Sequence, residues 1–187
     1  MNKNIITIIV TAALATFASA EKVTAAVGAS GAVAAGQSSV KISNVHLCCQ
    51  GCVKGAEKAV AKAKGVTAAV DKDAGTVTLT GDKAAVQSGV DALVAAGYYG
   101  KSDSADVSVK DTSGAKDGKV STLTVNDVHL CCDKCATAAK KALAKVKGVT
   151  SDTAEKKVTS FEVKGDFSPK EVFTALQAAG FTGKAGK

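Results

Sequence analysis

The sequence predicts an α+β protein made of two tandem βαββαβ domains, and two observations lead there. The heptapeptide His46–Cys52 (HLCCQGC) returns 83 positions later as His129–Cys135 (HLCCDKC), and these two stretches hold every cysteine and histidine of the chain. Around each, segments of period two and of helical period follow one another in the same order. Between residues 46–65 and 129–148, twelve of twenty positions are identical. The register continues on both sides. Val40, Ile42 and Val45 match Leu123, Val125 and Val128, and Ala96-Gly97-Tyr98 matches Ala179-Gly180-Phe181. Val77 and Leu79 match Phe161 and Val163 with one residue inserted between.

Each copy opens on an alternating segment (Val40, Ile42; Leu123, Val125), the pattern of a half-buried strand. The cysteine loop comes next. A helix follows with apolar residues at Val53, Ala56, Val60 and Ala63, and at Ala136, Ala139, Leu143 and Val146 in the second copy, one stripe at 3-4-3 spacing. Gly65 and Gly148 are placed to end these helices. A hairpin is expected over 67–71 and 76–80, turning through Lys72-Asp73-Ala74-Gly75. A second helix carries Val86, Val90, Leu93 and Val94, and its counterpart starts at Ser168-Pro169, a cap followed by proline at the first helical position. Both run to a glycine, and a short last strand is expected at Tyr98 or Phe181. This order is the split βαβ, or ferredoxin-like, plan. At about 65 residues each core is small, and alanine-rich helices bury little area.

The remaining segments divide the chain. Residues 1–20 have the character of a secretory signal peptide: Lys3 near the start, an uncharged stretch from Ile5 to Phe17, then small residues Ala18-Ser19-Ala20. The alternative is a retained anchor, but a helix crossing ~30 Å of hydrocarbon needs ~20 apolar residues. Cleavage would leave a mature chain starting near Glu21, periplasmic or secreted and not inserted in the membrane. Residues 21–38 read as a flexible arm, 39–102 as the first domain, 103–120 as a polar linker and 121–187 as the second domain. Val107 and Val109 offer the alternative of an extended last strand. The net charge of +7 comes entirely from lysine. Without arginine forks or tryptophan, a nucleic-acid surface is not expected, and a solvated lysine face is the simpler reading.

Six cysteines in an exported chain first suggest disulfides. The spacing speaks against a scaffold, because three cysteines within five residues close only short loops and add little entropic stabilisation. Cys49-x-x-Cys52 and Cys132-x-x-Cys135 instead sit between a strand and a helix start. Unpaired N–H groups and the positive dipole end favour thiolates there. Two soft sulfurs three residues apart can grip one soft ion.

On these residues the chain resembles the heavy-metal-associated domains of copper chaperones and periplasmic mercury-binding proteins. Their βαββαβ fold carries a G-M-x-C-x-x-C loop after the first strand. The resemblance covers residues 39–102 and 121–185. It implies metal thiolates at Cys49, Cys52, Cys132 and Cys135, a buried core residue at Leu47 and Leu130, and an aromatic near the metal at Tyr98 and Phe181, where simple packing is the other reading. Three positions depart from the pattern: His46 and His129 replace glycine, Cys48 and Cys131 precede the first metal cysteine, and leucine replaces methionine. Cys48, Cys131, His46 and His129 therefore enlarge the donor set, and three or four donors favour trigonal copper or tetrahedral zinc, cadmium or lead. In an extended segment neighbouring side chains alternate, which would turn Cys48 away from the Cys49–Cys52 pair.

The expected function is that of a non-enzymatic soft-metal carrier, buffer or scavenger. Cu(I) is the first choice and Zn(II), Cd(II) or Hg(II) the alternatives. The expected partner is a metal-donor or metal-acceptor protein, such as a metal transporter domain. Lys54, Lys58 and Lys62 form an i, i+4 row beside the loop, either a solvated face or a surface for an acidic partner. The two domains would load independently or clamp one ion between them. A thiol–disulfide redox protein is the competing class, although the only proline, Pro169, is not placed as the cis-proline of thioredoxin-like enzymes is. A disulfide-bonded interaction module is a third.

Overall fold

Alternation sets the strands. In the computed structural model, which describes residues 36–186, β1 (Ser38–Ser43) turns Val40 and Ile42 inward. After it come α1 (Gln50–Val60), the hairpin β2 (Val66–Asp71) and β3 (Thr76–Gly81), α2 (Lys83–Ala95) and β4 (Lys101–Ser102). The second copy repeats this as β5 (Val120–Asn126), α3 (Asp133–Leu143), β6 (Val149–Asp152), β7 (Ser160–Phe167), α4 (Pro169–Ala178) and β8 (Lys184–Ala185). The sheets run β2-β3-β1-β4 and β6-β7-β5-β8, antiparallel throughout. These are two ferredoxin-like folds, as the sequence order predicts. The expected signal segment 1–20, and the 21–38 arm up to residue 35, lie outside the described residues. Among the described residues no helix is long and apolar enough to cross a membrane.

Each core lies between one sheet and its two helices. Val77, Leu79, Val86 and Val90 fill the first; Val163, Phe167, Phe173 and Leu176 fill the second. The second also buries Phe161 at the position of Val77, so its sheet and helix contribute three phenylalanines where the first copy places aliphatic residues. Fully burying one such side chain contributes about 1.5–3 kcal/mol.

Two expectations about element ends are corrected. The first helix of each copy stops at Val60 or Leu143, not at the glycine. Beyond it the chain tightens into i→i−3 bonds, Ala63 N–H to Val60 O and Val146 N–H to Leu143 O. Gly65 and Gly148 then turn into the next strand at φ +76° and +88°. The buried stripe of α1 is also rotated from the expected one. Cys52, Ala56, Ala59 and Val60 face inward, while Val53 is half-exposed.

The second correction concerns Tyr98 and Phe181. Neither belongs to a last strand; they form an isolated antiparallel bridge with each other, joining the two copies. Both helices α2 and α4 end in a Schellman turn: Tyr98 N–H returns to Leu93 O and Phe181 N–H to Leu176 O, each at 3.0–3.1 Å. The glycines of these turns, Gly97 (φ +86°) and Gly180 (φ +85°), meet the other copy's backbone. Tyr99 N–H bonds Gly180 O at 3.1 Å and Thr182 N–H bonds Gly97 O at 3.0 Å. A Cβ at Gly97 would lie 2.6 Å from His129 N, and one at Gly180 would lie 2.5 Å from His46 N. The contact is nearly two-fold symmetric, and it places each helix end against the other copy's cysteine loop.

The connecting segment 103–119 has no strand or helix, so Val107 and Val109 do not extend a strand. It is nonetheless tied down. Gln87 exchanges two hydrogen bonds with the Ser108 backbone, Val107 is buried, and Ala185 N–H bonds Ser113 O at 2.8 Å.

Gly97→Ala should lower the stability of the reduced protein by about 1–3 kcal/mol, from left-handed strain and the lost backbone approach. Urea unfolding checks this, and an unchanged midpoint would show that the two copies do not depend on the contact.

Candidate metal centre

The residue at the N-cap of α1 is Cys49 and that of α3 is Cys132, both extended (φ −158° and −151°). An extended cap followed by a helical turn swings the side chain of the fourth residue, Cys52 or Cys135, under the cap. These two are fully buried, while Cys48, Cys49, Cys131 and Cys132 are half-buried. All six are free thiols.

The two loops face each other and the sulfurs converge. Within the first loop Cys52 Sγ lies 3.7 Å from Cys48 and 3.8 Å from Cys49; in the second, Cys135 lies 3.6 Å from Cys131 and 3.8 Å from Cys132. Four of the five contacts between loops are shorter. Cys48 is 3.3 Å from both Cys132 and Cys135, Cys131 is 3.4 Å from Cys49 and 3.3 Å from Cys52, and Cys52 and Cys135 meet at 3.7 Å. Cys48 does not turn away from its own pair. The chain leaves the extended path just after Cys49, the turn brings Cys52 back beside Cys48, and Cys48 joins both loops.

The symmetry breaks at the aromatic residues. His46 packs tilted against Phe181 (centroids 4.3 Å apart) and His129 stacks on Tyr98 (4.6 Å), each across the interface. Tyr98 donates its hydroxyl proton to Cys52 O at 2.9 Å and lies 3.1 Å from His129 Nε2. With its one proton given to the carbonyl, the phenol oxygen accepts from His129 Nε2–H, which assigns that tautomer and occupies that nitrogen. Phe181 has no hydroxyl, and the buried His46 Nε2 has no hydrogen-bond partner. A ring nitrogen of His46 lies within 4.8 Å of Cys48 and Cys135 Sγ. The difference reaches the helices. A Cβ at Gly55 would collide with the Tyr98 hydroxyl, and the matching position on α3, beside the smaller Phe181, is Ala138. Gly55 and its link to Tyr98 were not singled out by sequence reasoning; the Gly/Ala and Tyr/Phe differences between the copies were the available signal.

Electrostatics split the thiols. Cys52 is held as a thiolate well below the ordinary thiol range, chiefly by the Cys135 thiol hydrogen-bonded to it, and Cys135 is correspondingly pushed up. Burial pushes Cys48 up to about 12 and raises Cys131 as well. Burial also works against ionisation of Cys132, but the Cys135 backbone N–H and the Cys48 thiol outweigh it, lowering its pKa to about 7. Burial lowers His46, so its imidazole is neutral near pH 7 and keeps a lone pair. The cluster can therefore offer soft anionic sulfur with imidazole nitrogen beside it, but most of its protons must leave before all six sulfurs can act as ligands.

Tyr98→Phe should cost about 0.5–1.5 kcal/mol, since it removes the hydroxyl's bonds to Cys52 O and His129 Nε2. Phe181→Tyr should clash with Ala138 unless Ala138→Gly accompanies it. Denaturant unfolding of the three variants checks both statements, and a well-tolerated single Phe181→Tyr would contradict the steric account.

No protein-family model and no curated protein matches the chain. Solved structures similar to it include the N-terminal soluble domains of Bacillus subtilis CopA (18% identical, covering 80% of this chain and 94% of that chain, TM-score 0.29). Another is the first two RRM domains of the yeast poly(U)-binding protein Pub1 (12% identical, covering 80% and 98%, TM-score 0.24). At TM-scores this low neither likeness bears on function.

Proposed function

We propose that the chain is an exported carrier, buffer or scavenger of a soft metal ion, Cu(I) before Zn(II), Cd(II) or Hg(II). The observation that supports it is the convergence of six free thiols from two helix N-termini into contacts of 3.3–3.8 Å. Thiolate donors select soft ions, and the resemblance to heavy-metal-associated domains agrees with that choice. Cys49, Cys52, Cys132 and Cys135 are the principal ligands in this reading, Cys48 and Cys131 complete the sulfur set, and His46 is the first nitrogen donor. His129 holds Tyr98 through Nε2–H, which leaves its Nδ1 as the second nitrogen donor.

Four of the six sulfurs are half-buried, so a partner's thiolates can replace them in turn. Release by such ligand exchange needs no free ion. The exposed Lys54, Lys58 and Lys62 beside the loop suit an acidic docking partner, such as a metal transporter domain.

Changing Cys49, Cys52, Cys132 and Cys135 together to Ser should abolish tight Cu(I) binding in competition with a chelator, and undiminished affinity would refute the ligand assignment. Because Cys48, Cys131 and Cys135 are raised and protonated at neutral pH, Cu(I) uptake should release protons and strengthen as pH rises. Proton release in weak buffer measures this; none released at pH 7 would mean that these thiols do not bind.

A further inference from the structure

Nine sulfur–sulfur pairs lie 3.3–3.8 Å apart. Three more, Cys48–Cys49, Cys49–Cys132 and Cys131–Cys132, lie within 4.8 Å. Every sulfur then has four neighbours. The pairs left over are Cys48–Cys131, Cys49–Cys135 and Cys52–Cys132. Six points that each neighbour all but one of the others have the connectivity of an octahedron.

An octahedron has triangular faces, and alternate faces share corners but no edge. One alternate set is Cys48/Cys49/Cys52, Cys49/Cys131/Cys132, Cys52/Cys131/Cys135 and Cys48/Cys132/Cys135. Each sulfur belongs to two of these faces, and the two-fold relation between the copies exchanges this set for the other. Sulfurs about 2.3 Å from a metal stand about 4.0 Å apart around a trigonal centre, close to the edges observed. A tetrahedral ion needs four sulfurs around one point, which no face supplies. Trigonal Cu(I) needs three.

We propose, building on the soft-metal reading above, that the two loops form one polynuclear centre holding four Cu(I) ions on alternate faces, each thiolate bridging two. Six thiolates and four monovalent ions leave a charge of −2, and six thiol protons, less those already lost, go to solvent. The N-termini of α1 and α3, each presenting about half a positive charge, lie at the cage and offset this. Three of the four faces take sulfurs from both copies, so loading is cooperative.

Anaerobic Cu(I) titration of the reduced chain, read by native mass spectrometry, tests the proposal. The expected result is all-or-none uptake, with apo and four-copper species together at half saturation and copper–copper scattering in the X-ray absorption spectrum. Saturation at one or two ions overturns the cage and leaves soft-metal binding standing, whereas no uptake removes both. Cys131→Ser keeps both C-x-x-C pairs intact. It should lose the four-copper species, and a variant still loading four ions all-or-none would show that this thiol does not bridge.

Discussion

The two copies meet where neither has a side chain. Gly97 and Gly180 end their helices in left-handed turns, and their bare α-carbons let the backbone of one copy lie against the loop of the other. The bonds from Tyr99 to Gly180 and from Thr182 to Gly97 close at that point, and Tyr98 and Phe181 are carried across to the opposite histidines. With larger residues there the copies would stand apart, and each loop would hold three thiols facing solvent. The shared cluster thus depends on this backbone approach, which brings the two sets of sulfurs within reach of each other.

Much of the fold was legible in the sequence, because strand alternation, helical stripes and a repeat all pointed to one order. The hairpin at residues 66–81 and the proline start of α4 follow local chemistry directly. The ends of α1 and α3 were not legible. Ala63 and Val146 keep the helical spacing while the backbone has already tightened, and spacing alone cannot separate the two. Tyr98 and Phe181 looked like strand residues because each is an aromatic just after a turn; their actual partner is the other copy, which no local pattern encodes.

For the site, the eight candidate residues were legible by composition, since no other cysteine or histidine exists in the chain. Their mutual arrangement was not. Alternation suggested that Cys48 faces away, and within its own strand path that reasoning is sound. It fails because the helical turn after Cys49 brings Cys52 back to within 3.7 Å of Cys48, which meets its own pair as well as the other loop. The inequivalence of the histidines was encoded in two modest differences, Gly55 against Ala138 and Tyr98 against Phe181, whose connection emerges only when the hydroxyl is seen in the space that glycine leaves.

The segment 103–119 is hydrogen-bonded to α2 at one end and to β8 at the other, and it ties both halves into one molecule. Two separate single-loop proteins would have to find each other, and their union would fade on dilution. Here the second half is always present at an effective concentration set by a short tether. The cluster can therefore assemble in a solution holding very little of the protein, and its affinity for cargo does not depend on how much protein surrounds it.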